Sequence, residues 1–145
     1  MLEALSRAKF DRDVGRINPR SVRALGWTIL ASTYPVLDVL FSHQTAAPLR
    51  LRLICDDWDE LPPAIELLDA GGINLTAPPP CLTSQFHPGP HWKTGRPFVC
   101  MRGAREYHTH ESHVTDLWDN YRGQPGMDLG GIVHQLWRVW KRAVG

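Results

Sequence analysis

Cysteine is scarce in this sequence: there are three, widely spaced at 55, 81 and 100. An odd, scattered set is a poor disulfide framework, so each is expected as a thiol, buried or functional, in a reducing compartment. An excess of one charge is also missing. Sixteen Lys and Arg against 15 Asp and Glu leave a net charge of +1. That balance gives no electrostatic footing for nucleic acid or a membrane surface, and neither is expected as a partner. No apolar run approaches the roughly 20 residues of a membrane span. Met1 to Lys9 has no apolar core of the kind a secretion signal needs, so a cytoplasmic location is expected. There is no internal repeat, no low-complexity segment and no His-Glu-x-x-His helix of the common metalloproteases.

What is present suits one α+β domain. The chain has 145 residues, 43% hydrophobic and 21% charged, which is enough to build a core. Residues 1–20 carry a thin stripe of Leu2, Leu5 and Phe10 before Gly15 and Asn18-Pro19, and predict a short exposed helix or an arm. Residues 21–70 predict an antiparallel meander of four strands. Val22 to Ala31 would place Leu25, Trp27 and Ile29 on one face. Val36 to Phe41 would do the same with Leu37, Val39 and Phe41. Leu49 to Cys55 alternates most clearly, with Leu49, Leu51, Leu53 and Cys55 inward and Arg50 and Arg52 toward water. Ala64 to Asp69 would close the meander.

Residues 71–123 form a loop and site region, whose first part, 71–97, contains Gly71-Gly72, Pro78-Pro79-Pro80, Pro88-Gly89-Pro90 and Gly95-Arg96-Pro97. Proline and glycine at this density predict ordered loop, and a loop so long in a compact domain is usually functional. Residues 128–143 predict a helix capped by Asp128. Leu129, Ile132, Val133, Leu136, Trp137 and Trp140 make one apolar stripe, sized to cover one face of the meander.

The chemistry concentrates between Cys100 and His113, where one thiol, two carboxylates and three imidazoles fall within 14 residues. Zinc takes four ligands from these donor types. If residues 105–110 are extended, Glu106, His108 and His110 share one side, with Cys100 before them and His113 after. Four of Cys100, Glu106, His108, His110 and His113 could then close a tetrahedral zinc site. With three ligands an open water could be activated, Glu106 or Glu111 serving as base in a zinc hydrolase. The competing reading makes Cys100 a nucleophile, its thiolate favoured by a neighbouring imidazole. Cys55 reads as core, His91 as turn chemistry, and His43 and His134 as surface residues.

Two resemblances follow from these residues. The element order resembles the ubiquitin-conjugating enzyme (UBC-like) fold: helix, four-stranded meander, long loop, cysteine, tryptophan, helix. Phe86-His87-Pro88 followed by Gly95-Arg96-Pro97-Phe98-Val99-Cys100-Met101 looks like that family's His-Pro-Asn tripeptide and catalytic cysteine; Leu61-Pro62-Pro63 and Trp118 also look similar. Gly89 stands where the family has its asparagine, and the His-to-Cys spacing is a few residues longer. Second, Cys100, Glu106 and the histidines up to His113, followed by Leu117-Trp118, resemble a bacterial predicted metal-binding family with a Cys-Glu-His-His signature. That family is associated with ubiquitin-like modifier systems encoding an activating enzyme and a JAB-type protease. The resemblance implies a zinc-binding relative of the conjugating enzymes, with a ubiquitin-like modifier and its activating enzyme as partners. It leaves open whether Cys100 is a metal ligand or carries the modifier as a thioester; the first is the expected role.

Overall fold

Leucine at 49, 51 and 53 alternates with arginine at 50 and 52, and this strand is second to last in the sheet. In the computed structural model, which describes residues 1–145, the sheet runs β1 (Trp27–Thr33), β2 (Val36–Phe41), β3 (Leu49–Ile54) and β4 (Ala64–Leu68) in sequential antiparallel order. Register pairs Val39 with Leu51 and Leu53 with Ile65, which lines one face with apolar side chains. Helix α4 (Leu129–Val144) covers that face through Leu129, Ile132, Val133, Leu136 and Trp140, all buried. Phe41 and Trp140 approach to 5.7 Å between ring centroids. The Asp128 carboxylate accepts the Gly131 N–H at 2.8 Å and starts α4 as expected. The architecture is α+β and UBC-like, and no helix is long and apolar enough to cross a membrane.

Four local expectations are corrected. The segment expected as one strand from Val22 is a short helix, α2 (Pro19–Ala24), and only then β1. Asn18 accepts N–H bonds from Arg20 and Ser21, so the pair that stops the first helix also starts the second. None of the six residues of α2 is buried, which is why hydrophobic periodicity does not reveal it. The N-terminal segment is α1 (Glu3–Gly15), and it is docked rather than a free arm. Its buried positions are Ser6, Phe10 and Asp13, a stripe at helical spacing that is two-thirds polar. The Asp13 carboxylate accepts from the Trp58 indole N–H at 3.0 Å and the Leu129 N–H at 3.3 Å, joining α1 to the β3–β4 connection and to the start of α4.

Arg50 and Arg52 do not simply face water. Arg50 grips the buried Asp38 with two bonds of 2.8 and 2.7 Å, and Arg52 reaches the same carboxylate at 3.3 Å. Burial alone would raise the Asp38 pKa, but the two guanidiniums outweigh it and hold the carboxyl below its ordinary value. Finally, the long loop contains a two-residue ladder. β5 (Phe86–His87) pairs with β6 (Phe98–Val99), pinning both ends of the Pro/Gly-rich excursion between them.

Candidate functional site

Cys100 follows β6 directly, and its N–H donates to the Gln85 carbonyl at 2.8 Å, extending the short ladder by one bond. The thiol is half-buried, and that burial pushes its pKa up. The chain then turns into α3 (Arg105–His108). One turn of helix is not self-sustaining, since nucleation spends backbone freedom on few hydrogen bonds. Here the sheet holds it. Arg105 N–H donates to Pro63 O at 2.8 Å, and the Arg105 guanidinium reaches Pro62 O, Asp56 O and the Asp56 carboxylate at 3.0–3.1 Å. The Glu106 carboxylate accepts the Ile65 N–H of β4 at 2.9 Å.

This helix overturns the extended geometry expected for residues 105–110. Residues two apart share a side on a strand but lie about 200° apart on a helix. Glu106 therefore points at β4, away from His108. His108 turns back on its own loop: its Nε2 accepts the Gly103 N–H at 3.0 Å and its Nδ1 donates to Asp116 O at 2.7 Å. Both ring nitrogens are engaged, and burial lowers the His108 pKa.

The structure brings Cys100 and His113 together, with Sγ 3.8 Å from Nε2. The His113 ring stacks on Tyr107 at 4.1 Å and 16°. The Tyr107 hydroxyl donates to Asp116, which also accepts from the Tyr121 hydroxyl and, at 2.9 Å, from Arg102. These three donors hold the Asp116 carboxyl well below the usual range. Asp116 is thus the post on which the loop carrying His113 is fixed. His110 lies next to His113, with ring centroids 5.9 Å apart, and stacks over Phe98. Its Nδ1 accepts the Ser112 N–H. No three His, Cys, Asp or Glu side chains gather in metal-binding geometry. Of the five candidate ligands, Cys100 and His113 are paired, His110 stands beside them, and Glu106 and His108 are bonded elsewhere.

Sequence reasoning missed three participants. His91, expected only as turn chemistry, is 3% exposed and packs edge-on against Phe98 at 4.9 Å. Its N–H and carbonyl close a turn with Arg96 and Gly95, in keeping with the turn reading. Phe98 itself is ringed by His87, His91 and His110. Neither role leaves a signal in spacing. Asp116 is equally silent, because its partners come from 14 residues before it to 5 after. Cys81 is the more acidic thiol. Burial raises it, but backbone N–H groups of Phe86, Thr83 and Gln85 outweigh that and bring its pKa below the ordinary value. Cys55, by contrast, is fully buried and its pKa is pushed far up by that burial, in keeping with a core role.

Glu106 gives a pH prediction. Burial lifts its pKa from 4.5 to about 7, against the pull of the Ile65 N–H. The native chain therefore holds a proton that the unfolded chain gives up between those values. Stability is fully present below about pH 4.5 and falls as the pH rises toward 7. Glu106→Gln, which keeps an acceptor for Ile65 N–H, removes that loss. It is expected to be more stable than the parent by about 2 kcal/mol at pH 8, with the gap closing toward pH 4.5, in paired thermal melts.

Residues 91–144 match the model of a family described as Y4jH-like. The match spans β6, the Cys100–His113 stretch and α4, and covers less than half of the chain. No curated protein matches the sequence.

Proposed function

We propose that this chain is a ubiquitin-conjugating-enzyme-like component of a bacterial ubiquitin-like modification pathway, with Cys100 as the acceptor thiol and His113 as its base. The observation that carries the reading is the 3.8 Å approach of Sγ and Nε2 at the end of β6, on a UBC-like scaffold. A half-buried thiol with a raised pKa is a weak nucleophile until a neighbour takes its proton. In the transfer, His113 takes the Cys100 proton, and Sγ attacks the thioester carbonyl joining the modifier to its activating enzyme. The new carbon–sulfur bond forms, the old one breaks, and the departing thiolate takes up the proton.

A second reading rests on His110. Its ring lies 5.9 Å from that of His113, and the donor types of Cys100, His110 and His113 are those zinc prefers, although the three would have to draw together to hold it. Zinc bound there would stabilise the loop and consume the thiolate that the first reading needs.

One experiment separates them. The protein is incubated with the activating enzyme, modifier and ATP, and metal content is measured on the same sample. A reductant-sensitive adduct is expected, absent in Cys100→Ala, retained in Cys81→Ser, and slowed by about tenfold or more in His113→Ala. Stoichiometric zinc lost in Cys100→Ser, with no adduct, would establish the metal reading instead. An adduct that survives Cys100→Ala would sink the first reading, and protein without stoichiometric zinc would sink the second.

A further inference from the structure

A groove that neither reading uses opens between Gln85, Met101 and α4. It is a cavity of about 270 Å³ lined by Gln85, Met101, Gln135, Arg138, Val139 and Arg142. Its apolar part is Met101 and Val139, both half-buried. No acidic side chain lines it. Arg138 and Arg142 stand one turn apart on α4, both exposed, and neither guanidinium has a carboxylate within ion-pair distance. Five other guanidiniums are committed, Arg50 and Arg52 to Asp38, Arg102 to Asp116, Arg105 to Asp56 and Arg122 to Asp59, while Arg16, Arg20 and Arg23 are unpaired like Arg138 and Arg142. Gln85 adds an amide whose oxygen is already taken by Cys81 and Thr83, which leaves its NH₂ as a donor. The groove thus offers donors and positive charge over an apolar floor, and nothing within the chain satisfies them.

We infer that this groove docks an acidic, partly apolar segment of a partner protein, its carboxylates on Arg138 and Arg142 and an apolar side chain on Met101 and Val139. Guanidinium–carboxylate pairs are directional and can be bidentate, so two of them one turn apart fix a register as well as adding attraction. The place matters for the chemistry. Met101 is the residue after Cys100, and the Gln85 carbonyl is the group that holds the Cys100 N–H. A segment in the groove touches the two residues that flank the Cys100 backbone, Met101 in sequence and Gln85 through its hydrogen bond. The docking stands whether Cys100 accepts a thioester or binds a metal, since it draws on neither.

The probe is a labelled, end-blocked hexapeptide, Glu-Leu-Glu-Glu-Leu-Glu, titrated by fluorescence anisotropy onto the full chain. The same peptide with every Glu replaced by Gln is the reference. The acidic peptide is expected to bind at least tenfold more tightly than the reference. The Arg138→Gln/Arg142→Gln double variant should lose that tenfold, while Arg20→Gln/Arg23→Gln, an equal charge change on α2, should not. Bound peptide should also slow alkylation of Cys100 in a Cys81→Ser background. Equal binding of the two peptides, or equal loss in the two double variants, overturns the proposal. So does binding to vesicles of anionic lipid without binding to the peptide, or self-association of the chain that the groove variant abolishes while the peptide stays unbound.

Discussion

Asp13→Ala lowers the thermal midpoint by roughly 10 °C, the expected consequence of about 3 kcal/mol lost at one buried carboxylate. Asp13 is 1% exposed and serves three elements at once. Removing it leaves the Trp58 indole N–H, itself fully buried, with no acceptor, and strips the first amide of α4 of its partner. An unsatisfied buried donor costs on the order of 1–3 kcal/mol, and two are created here. Arg12, which reaches the same carboxylate at 3.3 Å, is half exposed and recovers its loss from water. Asp13→Asn is the informative companion: it keeps an oxygen acceptor, so it should recover part of the midpoint. A midpoint unmoved by Asp13→Ala would show that α1 is not docked as described.

Gly89→Asn, which restores the residue the conjugating-enzyme resemblance would place here, is expected to disrupt the loop. Gly89 sits at φ +73°, a region costly to side chains, and a β-carbon there would meet Arg96 O at 2.5 Å and His91 N at 2.9 Å. Both are backbone atoms of the turn closed by the His91–Arg96 bond, and they cannot swing aside. The cost is at least about 2 kcal/mol of overpacking and strain, concentrated between β5 and β6. The measurement is amide hydrogen exchange. Protection of the His91 and Gly95 amides should fall, while that of β2 and β3 stays. If Gly89→Asn leaves exchange at His91 unchanged, the close backbone approach described above is wrong. The same crowding explains why any oxyanion support in a thioester reaction cannot come from a side chain at this position.

The meander and the last helix were legible because their burial follows period: alternate leucines in β3, and the apolar stripe of α4. What escaped was whatever is held by polar groups. The buried stripe of α1 contains a serine and an aspartate, so it reads as solvent-facing. Helix α2 buries nothing, and only the Asn18 cap announces it. The site was half legible. Composition located the Cys100–His113 stretch, and the pairing of its first and last members is plain in the structure. The expected alignment of Glu106 with His108 failed because α3 exists only through bonds to Pro62, Pro63 and Ile65, which no local pattern encodes. The five expected ligands do not gather at one point; Cys100 stands 3.8 Å from the His113 imidazole, with Glu106 and His108 bonded elsewhere.

Helix α3 is a clip rather than a beam. Its few internal bonds are matched by those it makes to the β3–β4 connection and to β4. Tyr107, whose ring carries His113, is one of its four residues. The carbonyls of Pro62 and Pro63 hold Arg105, and through the same helix turn they fix Tyr107 and the His113 ring stacked on it. The turn between two strands is thus part of what positions the imidazole beside Cys100.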